Sequence, residues 1–186
     1  MKTIITLLVT LCCTTIGMAQ TKYYTQTKTF YENGYTYQCD ITPGPFVRLY
    51  NNSNRFTHTY QTYNGSEKLP PMGVFGRIPF TTNSDTMESI GWSIVYNAFT
   101  NVQRRNMVDA KLGVSLYINK ETGKVMEVKF DFVIWSPLNT IPIATFRKIE
   151  TEIKEKLLFI PTAEGKKLNF IFYGWRQPIN TKYEQR

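Results

Sequence analysis

The chain has 186 residues, a formal net charge of +8, 42% hydrophobic residues, three cysteines and one histidine. That length suits one domain behind a short leader, with a core large enough to need no disulfide staples. One histidine does not supply the imidazoles a catalytic zinc centre draws on, the scattered acids do not make a calcium loop, and no phosphate-cradling glycine loop occurs, so no metal or cofactor is expected.

Residues 1–19 have the three parts of a cleavable secretory signal. Lys2 gives a positive start, Ile4 to Leu11 is nearly all apolar, and Gly17-Met18-Ala19 places small residues before a cut at Gln20. The apolar stretch is shorter than the roughly 20 residues of a spanning helix, and no later stretch reaches that length. Cleavage would remove Cys12 and Cys13 and leave Cys39, so no internal disulfide is expected. Residues 20–186 are then expected to fold as one α+β domain in the periplasm or outside the cell. Nucleic acid is not expected as a partner there; the basic charge reads first as a generally basic soluble surface, and otherwise as a surface that could meet lipopolysaccharide or acidic glycans.

Residues 20–83 read as β-rich. Eight of the twelve tyrosines lie between Tyr23 and Tyr63, and aromatic and β-branched residues suit a pleated, half-buried surface. Asn33-Gly34 between Lys28–Glu32 and Tyr35–Ile41 is a strong hairpin signal, because a type I′ turn needs positive φ at both central positions. Tyr35, Tyr37, Cys39 and Ile41 alternate onto one face. Pro43-Gly44-Pro45 breaks the run. A second strand pair is expected at Phe46–Tyr50 and Arg55–Tyr63, joined by Asn51–Asn54, with a turn at Asn64-Gly65 and a loop from Pro70 to Pro79.

A helix is expected from Asp85, where Asp85 and Glu88 have capping-box spacing and Met87, Ile90, Ile94 and Ala98 recur at helical period. Val114, Leu116 and Ile118 alternate before the Asn119–Gly123 turn, and Met126, Val128, Phe130 and Phe132 alternate after it; together they predict a hairpin. A second helix spans Ile143 to Leu158, with Phe146, Ile149, Ile153 and Leu157 inward. The i,i+4 pairs Glu150–Lys154 and Glu152–Lys156 read as its solvated face. A last strand is expected over Lys167–Trp175, with Leu168, Phe170 and Phe172 on one face. The predicted architecture is an antiparallel sheet with two helices mainly on one side.

Helix, hairpin, helix and strand over residues 84–180 also carry a set of short motifs. Gly113 precedes Val114, Gly123-Lys124-Val125 closes the hairpin turn, and Phe159-Ile160-Pro161 leads to Gly165-Lys166-Lys167-Leu168. In these the C-terminal part resembles the C-terminal domain of TonB-type proteins, although its last two motifs lie one residue closer together and Leu168 stands where valine is usual. The resemblance implies a fold for that half and capture of an extended peptide by strand addition, without energy transduction. The whole chain resembles exported proteins of Gram-negative gut anaerobes that form domain-of-unknown-function families.

No catalytic constellation stands out. His58 could serve as a general base with Cys39 as nucleophile only if the two met in space. Asp40 and Asp131 could pair as glycosidase carboxylates only on the same condition. Gly91-Trp92-Ser93 lacks the second glycine of a nucleophile elbow and falls within a helix. The aromatic surplus offers binding rings at Tyr23, Tyr24, Tyr31, Tyr60 and Tyr63, and the closing strand offers Phe170, Phe172 and Trp175 at a sheet edge. The expected function is a non-catalytic binding or accessory protein of the cell envelope, taking an extended peptide or envelope protein by strand addition, or a glycan on aromatic rings. The alternatives are a hydrolase whose residues converge only in three dimensions, and a structural subunit.

Overall fold

A computed structural model describes residues 21–70 and 80–182. The expected signal peptide and most of the Pro70–Pro79 loop lie outside the described residues. Among the described residues six strands form one antiparallel sheet: β1 (Lys28–Glu32), β2 (Tyr35–Ile41), β3 (Phe46–Asn51), β4 (Lys111–Ile118), β5 (Val125–Val133) and β6 (Ile171–Pro178). Their order across the sheet is β1-β2-β3-β5-β4-β6. Helix α1 (Ser84–Ala98), short α2 (Asn101–Arg105) and α3 (Ile143–Lys156) complete the fold. No helix among the described residues is long and apolar enough to cross a membrane.

The expected hairpins form. Asn33 and Gly34 take φ of 47° and 78°, as a type I′ turn between β1 and β2 requires. Gly123 has φ 70°, and a Cβ there would lie 1.9 Å from the carbonyl oxygen of Phe159, so the β4–β5 turn needs glycine on two counts.

One sheet face packs against α1 and α3. Tyr37, Cys39, Val47, Leu49, Leu112, Val114, Leu116, Val128, Phe130, Phe132 and Ile171 meet Ile94 and Val95 of α1 and Phe146, Ile149 and Ile153 of α3 in one buried cluster. Phe146 stacks on Phe132 at 5.7 Å between ring centroids and tilts against Phe130 at 5.4 Å. Trp175 packs so closely on α1 that a Cβ at Gly91 would come within 2.7 Å of its ring.

Four expectations are corrected. Arg55–Tyr63 is a loop, not a strand. Its backbone is met by side chains: the Glu127 carboxylate accepts from the amides of Arg55 (2.6 Å) and Phe56 (2.9 Å), and Asn169 binds the amide of Thr62 and the carbonyl of Tyr60. The last strand starts four residues later than expected, at Ile171, after a 3₁₀ turn at Gly165–Lys167. Ile171, Tyr173 and Trp175 therefore face the helices, and Leu168 and Phe170 precede the strand.

Helix α1 begins at Ser84 with no side-chain cap, and Glu88 instead accepts from Tyr173 Oη and from Trp92 Nε1 (3.3 Å). A capping box does form at α2, between Thr100 and Gln103. Finally, Glu150 is fully buried, not solvated. Tyr37 Oη, Arg147 Nη1 (3.2 Å) and Lys154 Nζ (2.5 Å) all donate to it, the set of partners a buried carboxylate needs. Its neighbour pair Glu152–Lys156 is more exposed, as expected.

The candidate site on the uncovered sheet face

Among the described residues no helix lies on the second sheet face. Strand register sets its side chains in rows. One row runs Asp40, Arg48, Asp131, Gly113, Arg176 across β2, β3, β5, β4 and β6. The next runs Gln38, Tyr50, Lys129, Ser115, Gly174. Arg48 Nε and Lys129 Nζ lie 3.4 and 3.5 Å from Asp131, so two cations share one carboxylate. The 52–63 loop covers one end of this face. The other end has only Gly113, Ser115 and Gly174 as its floor, leaving a depression of about 500 Å³ between Phe46, Arg48, Phe172 and Arg176.

Beneath the loop the aromatic rings form a wall. Phe170 lies 5.3 Å from Tyr117 and 4.8 Å from Phe56, and Phe172 meets Tyr117 edge-on at 5.6 Å. Tyr117 Oη donates to the Thr57 carbonyl, 3.2 Å away. Burial, then the charge of Glu127, pushes its phenol up to about 12. Between this wall and the loop opens a basin of about 590 Å³, lined by Arg48, Lys129, Thr57, His58, Tyr60, Gln61, Phe172 and neighbours. Basin and depression adjoin at Arg48 and Phe172 and are together called the trough.

His58 is tied into the sheet. Tyr50 Oη donates to Asp40 Oδ2 (2.8 Å) and lies 3.1 Å from His58 Nε2. A phenol has one proton, and the carboxylate takes it, so Nε2 carries the hydrogen that reaches Tyr50. Burial and the bond to Asp40 push the Tyr50 phenol well up.

The expected site residues divide. Tyr60 (79% exposed) and Phe172 (42% exposed) come together at the basin, with Phe170 buried beneath them. Tyr31 is exposed on β1, at the opposite edge of the sheet. Tyr63 is half-buried and bridges Leu168. Tyr24 is corrected from a surface ring to a core residue: it is buried against Phe30, Phe132 and Phe146, and its hydroxyl donates to the Ile141 carbonyl. Tyr23 packs beside it. Trp175 is likewise buried on the helix side, its indole N–H donating to Gln177.

Cys39 and His58 do not meet. Cys39 is buried on the helix side, where desolvation pushes its thiol up to about 11; His58 lies on the opposite face with Tyr50. Arg48 stands between Asp40 and Asp131 in register, so the two carboxylates flank a guanidinium. Among the described residues, no three of His, Cys, Asp and Glu gather to hold a metal ion. Arg104 is used locally: it lies 4.0 Å over the Tyr96 ring and donates to the Tyr96 and Phe99 carbonyls at the end of α1. Glu127, Thr57 and Gln61 had no signal in the sequence as site residues.

Strand β6 is the sheet edge. Ile179 N–H donates to Ala110, and Phe172 N–H donates outward to Gln61 Oε1. The alternation turns Gly174 and Arg176 outward as well, and Pro178 has no N–H to offer.

The model of the domain of unknown function DUF5043 matches residues 20–175. The chain belongs to the DUF5043 family. A crystal structure of a DUF5043 family protein from Bacteroides uniformis ATCC 8492 superposes with a TM-score of 0.79 at 34% identity, covering 87% of this chain and 96% of that one. No curated protein matches. The expected membership of a domain-of-unknown-function family is thus met, and the family that matches is DUF5043, not that of the TonB C-terminal domain.

Proposed function

We propose that this DUF5043 chain is an exported, non-catalytic binding protein of the cell envelope that holds a glycan in the trough on its uncovered sheet face. The observation that carries this reading is the pairing of two exposed rings, Tyr60 and Phe172, over one polar basin. Aromatic rings with an open face stack on the C–H face of a pyranose, while the polar wall meets hydroxyls. Residues 1–19 support export by their signal-like composition. The test is a glycan array with the chain from Gln20, followed by titration of any hit against Phe172→Ala and Tyr60→Ala. Loss of binding by both variants with unchanged melting supports the reading. No glycan bound, or binding indifferent to both variants, sinks it.

A second reading has its own observation. The outward N–H groups of Gly174 and Arg176 lie on an edge strand, and an edge strand accepts an extended peptide. The helix–hairpin–helix–strand order from Ser84 to Pro178, with β6 beside β4, supports the TonB-C-like interpretation of this half. An Arg176→Pro variant removes an outward donor without touching the β4–β6 ladder. A peptide captured by the native chain and by Arg176→Ala, which keeps the N–H, but lost by Arg176→Pro would favour the edge over the trough.

A further inference from the structure

Two side-chain polar atoms, Thr57 Oγ1 and Gln61 Nε2, are buried without a hydrogen-bond partner among the described residues. Both residues line the basin. Buried polar groups are nearly always paired, and each orphan costs stability, so a coincidence of two in one cavity marks what a ligand would satisfy. Their chemistry is specific. Gln61 Oε1 is engaged by the Phe172 amide, which fixes the amide group and leaves Nε2 as a donor. Thr57 is only 8% exposed, and its hydroxyl can donate or accept. Beside them Arg48 and Lys129 divide a single carboxylate, Asp131, and Arg176 stands beyond Gly113 in the same row. The other acids of this face are held elsewhere: Asp40 accepts from Tyr50 Oη and Gln38 Nε2, and Glu127 from the amides of Arg55 and Phe56. The charged side chains that line the basin, Arg48 and Lys129, are therefore both cations.

Resting on the glycan reading above, we infer that the trough selects an anionic sugar, a hexuronate or other acidic glycan unit. Its acid group pairs with Lys129 and Arg48, its hydroxyls meet Gln61 Nε2 and Thr57 Oγ1, and its ring lies against Phe172 and Tyr60. An acidic peptide would share the charge contact. Its carbonyls could also meet Gln61 Nε2 and Thr57 Oγ1; the open faces of Tyr60 and Phe172, which match the C–H face of a pyranose, favour the sugar.

The probes are oligogalacturonate, alginate oligomers, hyaluronan fragments and sulfated heparin fragments, with carboxyl-reduced counterparts of the first three and a poly-glutamate peptide as control. Titrations use the chain from Gln20. The expected result is binding of a carboxylated or sulfated oligosaccharide, weakening with salt, with a loss of roughly tenfold or more in Lys129→Gln. Preference for the carboxylated over the sulfated members identifies the acid as carboxylate, and the reverse preference identifies it as a sulfate ester. Thr57→Val supplies the independent arm. It removes an unpaired buried hydroxyl, so the free protein should melt no lower than the native chain while sugar affinity falls severalfold. Equal binding of reduced and acidic forms at the same basin would overturn the anionic inference and leave the glycan reading standing. Binding of poly-glutamate in preference to every sugar, or no binding at all, would overturn both.

Discussion

Glu127→Gln tests how the loop over the sheet is held. The native carboxylate takes two consecutive amides, Arg55 at 2.6 Å and Phe56 at 2.9 Å, and Glu127 is itself buried. A hydrogen bond to a charged group contributes about 1.5–3 kcal/mol. Glutamine keeps one oxygen acceptor and turns an NH₂ toward the other amide, so one bond is lost and the second loses its charge. The expected cost is about 2–3 kcal/mol. For a domain of this size that corresponds to a fall in Tm of roughly 4–10 °C. The assay is thermal unfolding beside hydrogen exchange of the Arg55 and Phe56 amides, which should lose protection before the β4–β5 ladder does. Unchanged exchange at both amides would show that the loop is held by its aromatic packing on Phe170 and Tyr117, and the reasoning would be wrong.

Three further outcomes follow from the helix side. Glu150→Ala strips the acceptor from buried Tyr37 and from two half-exposed cations, and should cost about 2–4 kcal/mol by denaturant unfolding; a loss under 1 kcal/mol would contradict its burial. Gly91→Ala drives a methyl toward the Trp175 ring; overpacking of about 1–3 kcal/mol outweighs the gain of about 1 in helix propensity, and a shift in tryptophan emission should accompany it. Cys39, whose thiol burial raises to about 11, stays protonated in the folded chain while the unfolded chain ionises near its ordinary value. Its contribution to stability is therefore complete below about pH 9 and lost as pH rises toward 11. Native Cys39 should resist thiol labelling at neutral pH, and Cys39→Ala should flatten the alkaline fall in stability. Rapid labelling of the folded protein would refute the burial.

Much of this fold was legible because its elements are locally consistent. Asn33-Gly34 specifies its own turn, the alternation of Val114 to Ile118 and Met126 to Phe132 specifies a hairpin, and Phe146, Ile149, Ile153 and Leu157 specify the inward face of α3. The failures share a cause: the deciding partner is remote in sequence. Arg55–Tyr63 has strand-like composition, yet its amides are satisfied by Glu127 and Asn169, 70 to 110 positions on. Residues 168–175 are apolar on both alternations, because both faces of β6 are partly covered, so the period alone could not choose between Phe170-Phe172 and Ile171-Tyr173-Trp175. Glu150 matches Lys154 at i,i+4 like any surface pair, and only Tyr37 of β2 shows that it is buried. The candidate site was least legible for the same reason. Its polar groups come from the loop, β3 and β5, and only Tyr60, Phe170 and Phe172 among the expected rings meet there.

The geometry of the trough also bears on ligand length. Glu127 and Asn169 tether the loop to one end of the uncovered face, so the loop roofs the basin and leaves the Gly113–Ser115–Gly174 floor open. Basin and depression, about 590 and 500 Å³, each fall in the range of a single small-ligand site, and they adjoin at Arg48 and Phe172. A single sugar occupies one of them; a chain of several units reaches both and gains the contacts of Arg176 and Phe46. Affinity should therefore climb from monosaccharide to tetrasaccharide of one repeating acid. Arg176→Ala should erase the gain of the longer oligomers and leave the shortest binder unaffected. Calorimetry over a length series decides it. If affinity is flat with length, or if Arg176→Ala weakens mono- and tetrasaccharide alike, the two depressions do not act as one trough and the ligand sits in the basin alone.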